Sequence, residues 1–413
     1  MKVLLVINRP EREAKIMESI KREIHFLNQK AIVEIKERCT PEFNRFVFWF
    51  RPNVILTYPF TCEGFSNIYY MFKVILGAKI ISMRAEGVVD FDSEYELERS
   101  VGYDDYGNNL VDYELSWGEK FARIIGEKLV AQNKLSSLGN FKVVGHPGLE
   151  KHFEHDNVDA TIPLRLIDTL NQYNKNNIIF IVTGFVMADY TRQNLLDAKD
   201  MGGEDRIEIA LEGVEIVKKL REDWINNIII AATENPNVLI MVKKHPLENK
   251  KIYEQMLNSV NNILYIHEDV QMPNVISYAG LFIHYGSTSL IDAYLSKTPS
   301  VYASSHYNKQ WYSNLGWPSD LEVDINEIPL AVKSFLGGNI PFKISDNKKK
   351  VMKEMFNIEE GKEYRPSKEI AKIILDPTPP QKVKITDTYF LRALSVLMYQ
   401  HTFGRLLKLL KRV

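Results

Sequence analysis

Cysteine is almost missing from this 413-residue chain, which carries only Cys39 and Cys62. Two thiols exclude a disulfide-stapled scaffold and a cysteine-built zinc site, and they fit a reducing, cytoplasmic setting. No stretch approaches the ~20 consecutive apolar residues needed to cross a bilayer. The opening MKVLLVINRP holds one lysine and one short apolar run. That run is too short for a signal-peptide core and reads as a first strand. Net charge is nearly absent as well, with 52 Lys+Arg against 53 Asp+Glu, a balance of −1. Phosphate-backbone affinity comes from clustered positive charge, so a general nucleic-acid binder is excluded. With 21 glycines and 17 prolines, collagen-like and low-complexity readings fall away too.

What is present is globular: 45% hydrophobic and 25% charged residues. At roughly 150 residues per domain the length suggests two or three domains. Short apolar runs at 3–7, 31–35, 53–57, 79–83 and 141–144 alternate with helical spacing at 11–26, 66–76 and 117–130. Between 86 and 113 the pattern stops in an acidic stretch rich in Tyr, Gly and Asn. The alternation restarts after a polar linker near 152–161. Strands are expected at 178–182, 238–242, 263–266, 281–284 and 300–302, and long helical patterns at 204–234, 327–336, 348–356 and 368–375. Continuous apolar strands separated by amphipathic helices imply parallel sheets covered on both faces. The fold class is therefore α/β, with two Rossmann-like domains facing across a cleft, at 1–152 and 162–375. DPTPPQ (376–381) reads as a rigid break before a C-terminal tail, 376–413.

In such sheets ligands bind beyond the carboxyl ends of the strands, and several chemistry-bearing residues stand there. Lys243-Lys244-His245-Pro246 follows an apolar strand; the imidazole can donate to a phosphate or a sugar carboxylate, and the lysines add positive charge. A strand-ending turn with a structural histidine is the alternative. Gly286-Ser287-Thr288-Ser289 follows strand 281–284 and opens a helix. Hydroxyls and backbone N–H groups there suit an anion, against the plainer role of an N-cap. The two elements together suit a nucleotide mono- or diphosphate. Thr183-Gly184 follows a third strand, where glycine allows close backbone approach; an ordinary turn is the alternative. Glu86, before Gly87 at a strand end of the first domain, suits a general base or nucleophile, or is simply a surface acid. Asp90-Phe91-Asp92 and Asp104-Asp105 have carboxylates for Mg²⁺ but no third ligand, so no metal and no cofactor are expected. His146 reads as shaping its loop.

His245-Pro246 and Ser287–Ser289 resemble the HP and S-S/T motifs of bacterial CMP-sugar glycosyltransferases, the sialyl- and Kdo-transferases of GT-B fold. Glu86-Gly87 resembles the end of their acid-acid-Gly motif, with Ala85 in place of the first acid. LLVINRPERE, VVGHPG, IIFIVTGF, VKKHPLE and GSTSLIDAYLSKTPSV resemble the bacterial surface carbohydrate biosynthesis proteins over about residues 1–302. The resemblance implies a GT-B enzyme that moves an acidic sugar, Kdo-like or nonulosonic, from CMP to a lipopolysaccharide or capsule glycan. It also implies that the HP and S-T-S elements hold the nucleotide phosphate and that Glu86 acts on sugar or acceptor. A UDP-sugar transferase or epimerase, or a non-catalytic nucleotide-binding subunit of a polysaccharide assembly, are the alternatives; Ala85 keeps the last open. Residues 391–413 carry five Lys/Arg and no acid, leaving −6 for the other 390. This basic segment, with an apolar stripe, suits an anionic membrane surface on the inner face of the cytoplasmic membrane, or packs back on the first domain.

Overall fold

The computed structural model describes residues 1–38, 41–59, 63–84, 97, 100–101, 110–133, 135–153, 162–197, 204–257, 259–266, 270, 272–305, 319–382 and 390–395. They form two compact units, Met1–Phe153 joined by Asp346–Val413, and Glu154–Ser345.

Six parallel strands build the first unit in the order β2-β1-β3-β4-β5-β6: β1 Lys2–Ile7, β2 Ile32–Glu37, β3 Val54–Thr57, β4 Lys79–Met83, β5 Tyr113–Ser116 and β6 Phe141–Val143. Period-two alternation sends Val3, Leu5 and Ile7 into one hydrophobic layer, and Leu4 and Val6 into the other. Both faces are covered, so the strands read as unbroken apolar runs. Strand β5 breaks that rule and carries no run in the sequence. Its Glu114 is buried, and accepts from the guanidinium of Arg84 in the bend after β4.

The second unit orders its parallel strands β12-β11-β10-β7-β8-β9, from β7 Ile178–Val182, β8 Leu239–Lys243, β9 Ile263–Tyr265, β10 Leu281–His284, β11 Ser300–Ser304 and β12 Leu321–Asp324. Ile179 and Ile181 of β7 pack in one layer with Trp224 and Ile228 of the long helix Glu204–Glu234. Ile178, Phe180 and Val182 pack in the other. Each such buried side chain contributes about 1.5–3 kcal/mol.

The chain's closing helices belong elsewhere than expected. The reading of 162–375 as one domain runs past the observed end of the second unit at Ser345. Ile370, Ala371 and Ile374 of helix Pro366–Leu375 bury in the first unit's core beside Ile20 and Ile24 of helix Pro10–Leu27. The carboxylate of Glu150 anchors that helix, accepting from the Ser367 amide at 2.6 Å and its hydroxyl at 2.7 Å. DPTPPQ is then laid along the same unit. Lys79 Nζ donates to the Asp376 carbonyl at 2.7 Å, and Tyr113 donates to the Asp376 carboxylate at 3.0 Å. Ala393 is buried in that unit's second layer, with Phe390 and Leu394 packed beside it. The rest of the basic segment, 396–413, lies outside the described residues. Among the described residues no helix is long and apolar enough to cross a membrane.

Candidate nucleotide site in the second unit

The strand order of the second unit is that of a dinucleotide-binding sheet, with β7 as first strand and β10 as fourth. Its switch point lies between them, where successive connections leave in opposite directions and a crevice opens. Register levels the strand ends: Val182 of β7 pairs with Lys243 of β8 on one side and His284 of β10 on the other. The residues that follow, Thr183, Lys244 and Tyr285, therefore emerge side by side at one sheet edge. This brings together Thr183, Gly184, Lys244–Pro246 and Gly286–Ser289; Asp223 and Glu234, further candidate acids, stand instead on the helix Glu204–Glu234.

The contacts make the convergence specific. The His245 amide donates to Thr183 Oγ at 3.3 Å. A Cβ on Gly184 would lie 3.2 Å from the Tyr285 carbonyl, so the β7 and β10 loops approach as closely as glycine permits. Gly286 has φ +63°, the left-handed region where a side chain is strained. Gly184, Pro246 and Thr288 are exposed, and His245, Gly286, Ser287 and Ser289 half-buried.

The His245 ring accepts from the Leu247 amide through Nδ1 at 3.3 Å. In the neutral ring this places the proton on Nε2. Lys244 differs from expectation: its Nζ donates to the carbonyls of His245, at 2.9 Å, and Pro246, at 3.0 Å, so its charge closes the loop it belongs to. Burial holds its pKa below the usual lysine value. The helix after the S-T-S turn is short, Leu290–Leu295. Its Leu290 and Ile291 amides already donate to the Ser287 and Thr288 carbonyls. Ser287 Oγ accepts from the Ser289 amide at 3.2 Å. The polar capacity of this turn therefore rests more on its hydroxyls than on a helix terminus.

Two supporting residues escaped the sequence reading. His284, fully buried at the end of β10, accepts from the Ser287 amide through Nδ1 at 3.2 Å, and its Nε2 lies 2.9 Å from Ser319 Oγ. Burial pushes its pKa down to about 3, so the ring is neutral and holds the turn. Glu248, also buried, accepts from Thr183, Phe185 and Tyr253. The available signals were weak: a histidine closing an apolar run, and an acid three residues after His245.

Glu86, Asp90, Asp92, Asp104, Asp105, Cys39 and Cys62 lie outside the described residues. His146 is placed: its ring packs on Trp117 with centroids 4.0 Å apart, and its amide donates to Tyr364 Oη at 2.8 Å.

No family model matches the chain, and no curated protein matches it in sequence. Solved structures match in shape. A putative UDP-N-acetylglucosamine 2-epimerase from Listeria monocytogenes superposes with TM-score 0.56 at 12% identity, over 94% of this chain and 99% of that one. The UDP-GlcNAc 2-epimerase of Neisseria meningitidis, bound to UDP-GlcNAc, gives 0.53 at 10% identity, over 91% and 100%. The wall teichoic acid polymerase TagF gives 0.52 at 10% identity, over 91% and 87%. At these identities the likeness establishes the fold alone, an α/β chain of GT-B type with two Rossmann-like domains.

Proposed function

We propose that the second unit holds the phosphate of a nucleotide sugar at the β7–β10 switch point, and that the chain is a glycosyltransferase acting on a surface glycan. The observation that carries this reading is the meeting of three level strand ends, which gathers Gly184, His245 and Gly286–Ser289 at the ligand-binding edge of the sheet. His245 Nε2–H and the hydroxyls of Ser287, Thr288 and Ser289 supply donors to phosphoryl oxygens. Thr183 and Gly184 let the backbone approach, and Lys244 and Pro246 fix the HP loop. Charge-assisted hydrogen bonds to a phosphate contribute about 1.5–3 kcal/mol each.

The donor we propose is a CMP-linked acidic sugar, Kdo-like or nonulosonic, and the acceptor a lipopolysaccharide or capsule glycan. In the transfer an acceptor hydroxyl attacks the anomeric carbon. The bond from that carbon to the phosphate oxygen breaks, and CMP leaves with the electron pair, its charge met by the donors above. The hydroxyl proton passes to a carboxylate, for which Glu86 is our candidate. No metal takes part in this scheme, so activity should survive EDTA; loss of activity restored by Mg²⁺ would bring in Asp90 and Asp92. Glu86→Gln should fold normally and lose most turnover; retained turnover would place the reacting acid elsewhere.

A second reading is a UDP-sugar epimerase, favoured by the near-complete coverage of the two epimerases named above. Thermal-shift titration with CMP, CDP and UDP, followed by incubation with CMP-, CDP- and UDP-linked sugars, separates the readings. CMP-selective stabilisation with slow release of sugar supports the transferase. UDP-selective stabilisation with an isomerised sugar supports the epimerase. Binding without turnover supports an assembly subunit, and no binding overturns the nucleotide site. The anionic-membrane role of 391–413 is tested by liposome flotation of the full chain against one ending at Asp387. Equal indifference to anionic liposomes would leave the segment with a packing role alone.

A further inference from the structure

Glu248 is 4% exposed, and two elements bring three donors to its carboxylate. From the loop after β7, Thr183 Oγ donates at 2.9 Å to Oε2, and the Phe185 amide donates to Oε1 at 2.7 Å. From helix Lys250–Leu257, the Tyr253 hydroxyl donates to Oε2. Glu248 itself belongs to the loop after β8, where its amide donates to the His245 carbonyl at 3.0 Å. The directions are fixed by counting protons. Thr183 Oγ accepts from the His245 amide, so its single proton goes to Glu248. The chain of donation therefore runs from His245 N–H through the Thr183 hydroxyl to the carboxylate.

We propose that Glu248 is a positioning residue that staples the loop after β7 to the loop after β8, so that Gly184 and His245 are presented to the nucleotide phosphate in one fixed arrangement; this rests on the nucleotide-site reading above. At 4% exposure Glu248 acts through those loops and not on the ligand. A carboxylate suits the place because three donors arrive at two oxygens, each with free lone pairs. Alanine leaves the buried Phe185 amide with no acceptor and takes the carboxylate from the Tyr253 hydroxyl. Glutamine keeps one acceptor oxygen and turns the other position into a donor facing donors. Burial pushes the Glu248 pKa up, while the Tyr253, Thr183 and Phe185 donors and the charge of Arg221 pull it down. Arg221 is itself held by Asp189 at 2.7 Å, and Asp189 accepts from the Asn249 amide next to Glu248.

The test uses the full chain as wild type, Glu248→Ala, Glu248→Gln, Thr183→Val, His245→Ala and the double variant Glu248→Ala/His245→Ala. Amide exchange is read at Phe185 and His245, and CMP and UDP affinity by calorimetry. The expected result is exchange about tenfold faster at Phe185 in Glu248→Ala, with the amides of β7 and β8 unchanged, and nucleotide affinity lower by about tenfold. Glu248→Gln should fall between. In the His245→Ala background the further loss from Glu248→Ala should shrink to less than about twofold, because the two changes act through one contact. A residue that merely fills the core would give additive losses. Unchanged exchange at both amides, or fully additive affinity losses, overturns the staple. If Glu248→Ala does not fold, Thr183→Val keeps the carboxylate and removes the bridging hydroxyl; it should speed exchange at His245, and unchanged exchange there overturns the proposal. If the wild type binds neither nucleotide, the nucleotide reading fails and the exchange data alone decide the staple.

Discussion

Each sheet ends its first strand at a buried carboxylate, and the two carboxylates are wired differently. After β1, the amides of Asn8 and Arg9 donate to Glu13 Oε2 at 2.5 and 3.1 Å. Glu13 stands on the helix that follows at once, Pro10–Leu27, so this loop is closed by its own neighbour. After β7, the acceptor is Glu248, from the loop beyond the adjacent strand. Amides at this point of a doubly wound sheet are where phosphate docks. In the first unit an internal anion takes two of them and, among the described residues, joins no second loop. In the second the anion is spent on joining two loops, and Gly184 stays exposed beside them. The same strand-end position thus serves packing in one unit and presentation in the other.

The sharpest way to break that contrast is Asp112→Ala in the first unit. Asp112 accepts from the buried ammonium of Lys73 at 2.9 Å, from the Ile80 amide at 2.7 Å and from the Gln381 amide. Removing it strands a buried charge, at a cost of about 3–5 kcal/mol. Denaturant unfolding should show that loss in the first unit, while calorimetry finds nucleotide affinity unchanged in protein that remains folded. A fall in affinity equal to that of a site variant would erase the division of labour.

Next in size are His245→Ala and Ser287→Ala, each expected to weaken nucleotide binding by about 1.5–3 kcal/mol, roughly ten- to a hundredfold. Intact affinity in both variants would remove the site from the second unit. His284 follows. Its folded pKa is depressed to about 3 from 6.5. Below 6.5 the unfolded chain therefore binds a proton that the folded chain refuses. Its contribution is complete above pH 6.5 and shrinks as pH falls toward 3, by about 2 kcal/mol at pH 5. Urea unfolding of the second unit at pH 7 and pH 5 should show this slope, and His284→Gln should flatten it. Smallest is Glu13→Ala, expected to cost about 1 kcal/mol of first-unit stability through loss of an acidic helix cap. Nucleotide affinity should stay unchanged; a new nucleotide site at Asn8–Arg9 would show that Glu13 alone kept the units apart in function.

Strands buried on both faces could be read from the sequence, because each is an unbroken apolar run: 79–83, 178–182 and 281–284 match β4, β7 and β10 end for end. Strands β5 and β12 were missed because YELS and LEVD are half polar. In β5 the cause is visible, since the buried Glu114 is paired with Arg84, a partner 30 residues away. The domain boundary was missed for a similar reason. Helix Pro366–Leu375 has an apolar stripe that says it must be covered but not by what. The placement of Thr183, His245 and Ser287 at one edge followed from their standing after strands. Glu248 and His284 could not be assigned their work, because a carboxylate's or a ring's hydrogen bonds across 65 or 35 residues leave no local trace.

The first unit is discontinuous in the chain, and the second is inserted within it. On the ribosome, residues 1–153 emerge with one face of their sheet lacking Ile370, Ala371 and Ile374. The whole inserted unit must then be synthesised before that cover arrives. The second unit is contiguous, so it can close as soon as β12 and the helix Ile328–Leu336 have left the exit tunnel. The half made first is expected to mature last, and nascent chains stalled after Ser345 has left the tunnel but before helix Pro366–Leu375 has emerged should resist protease in their later half and yield in their earlier one.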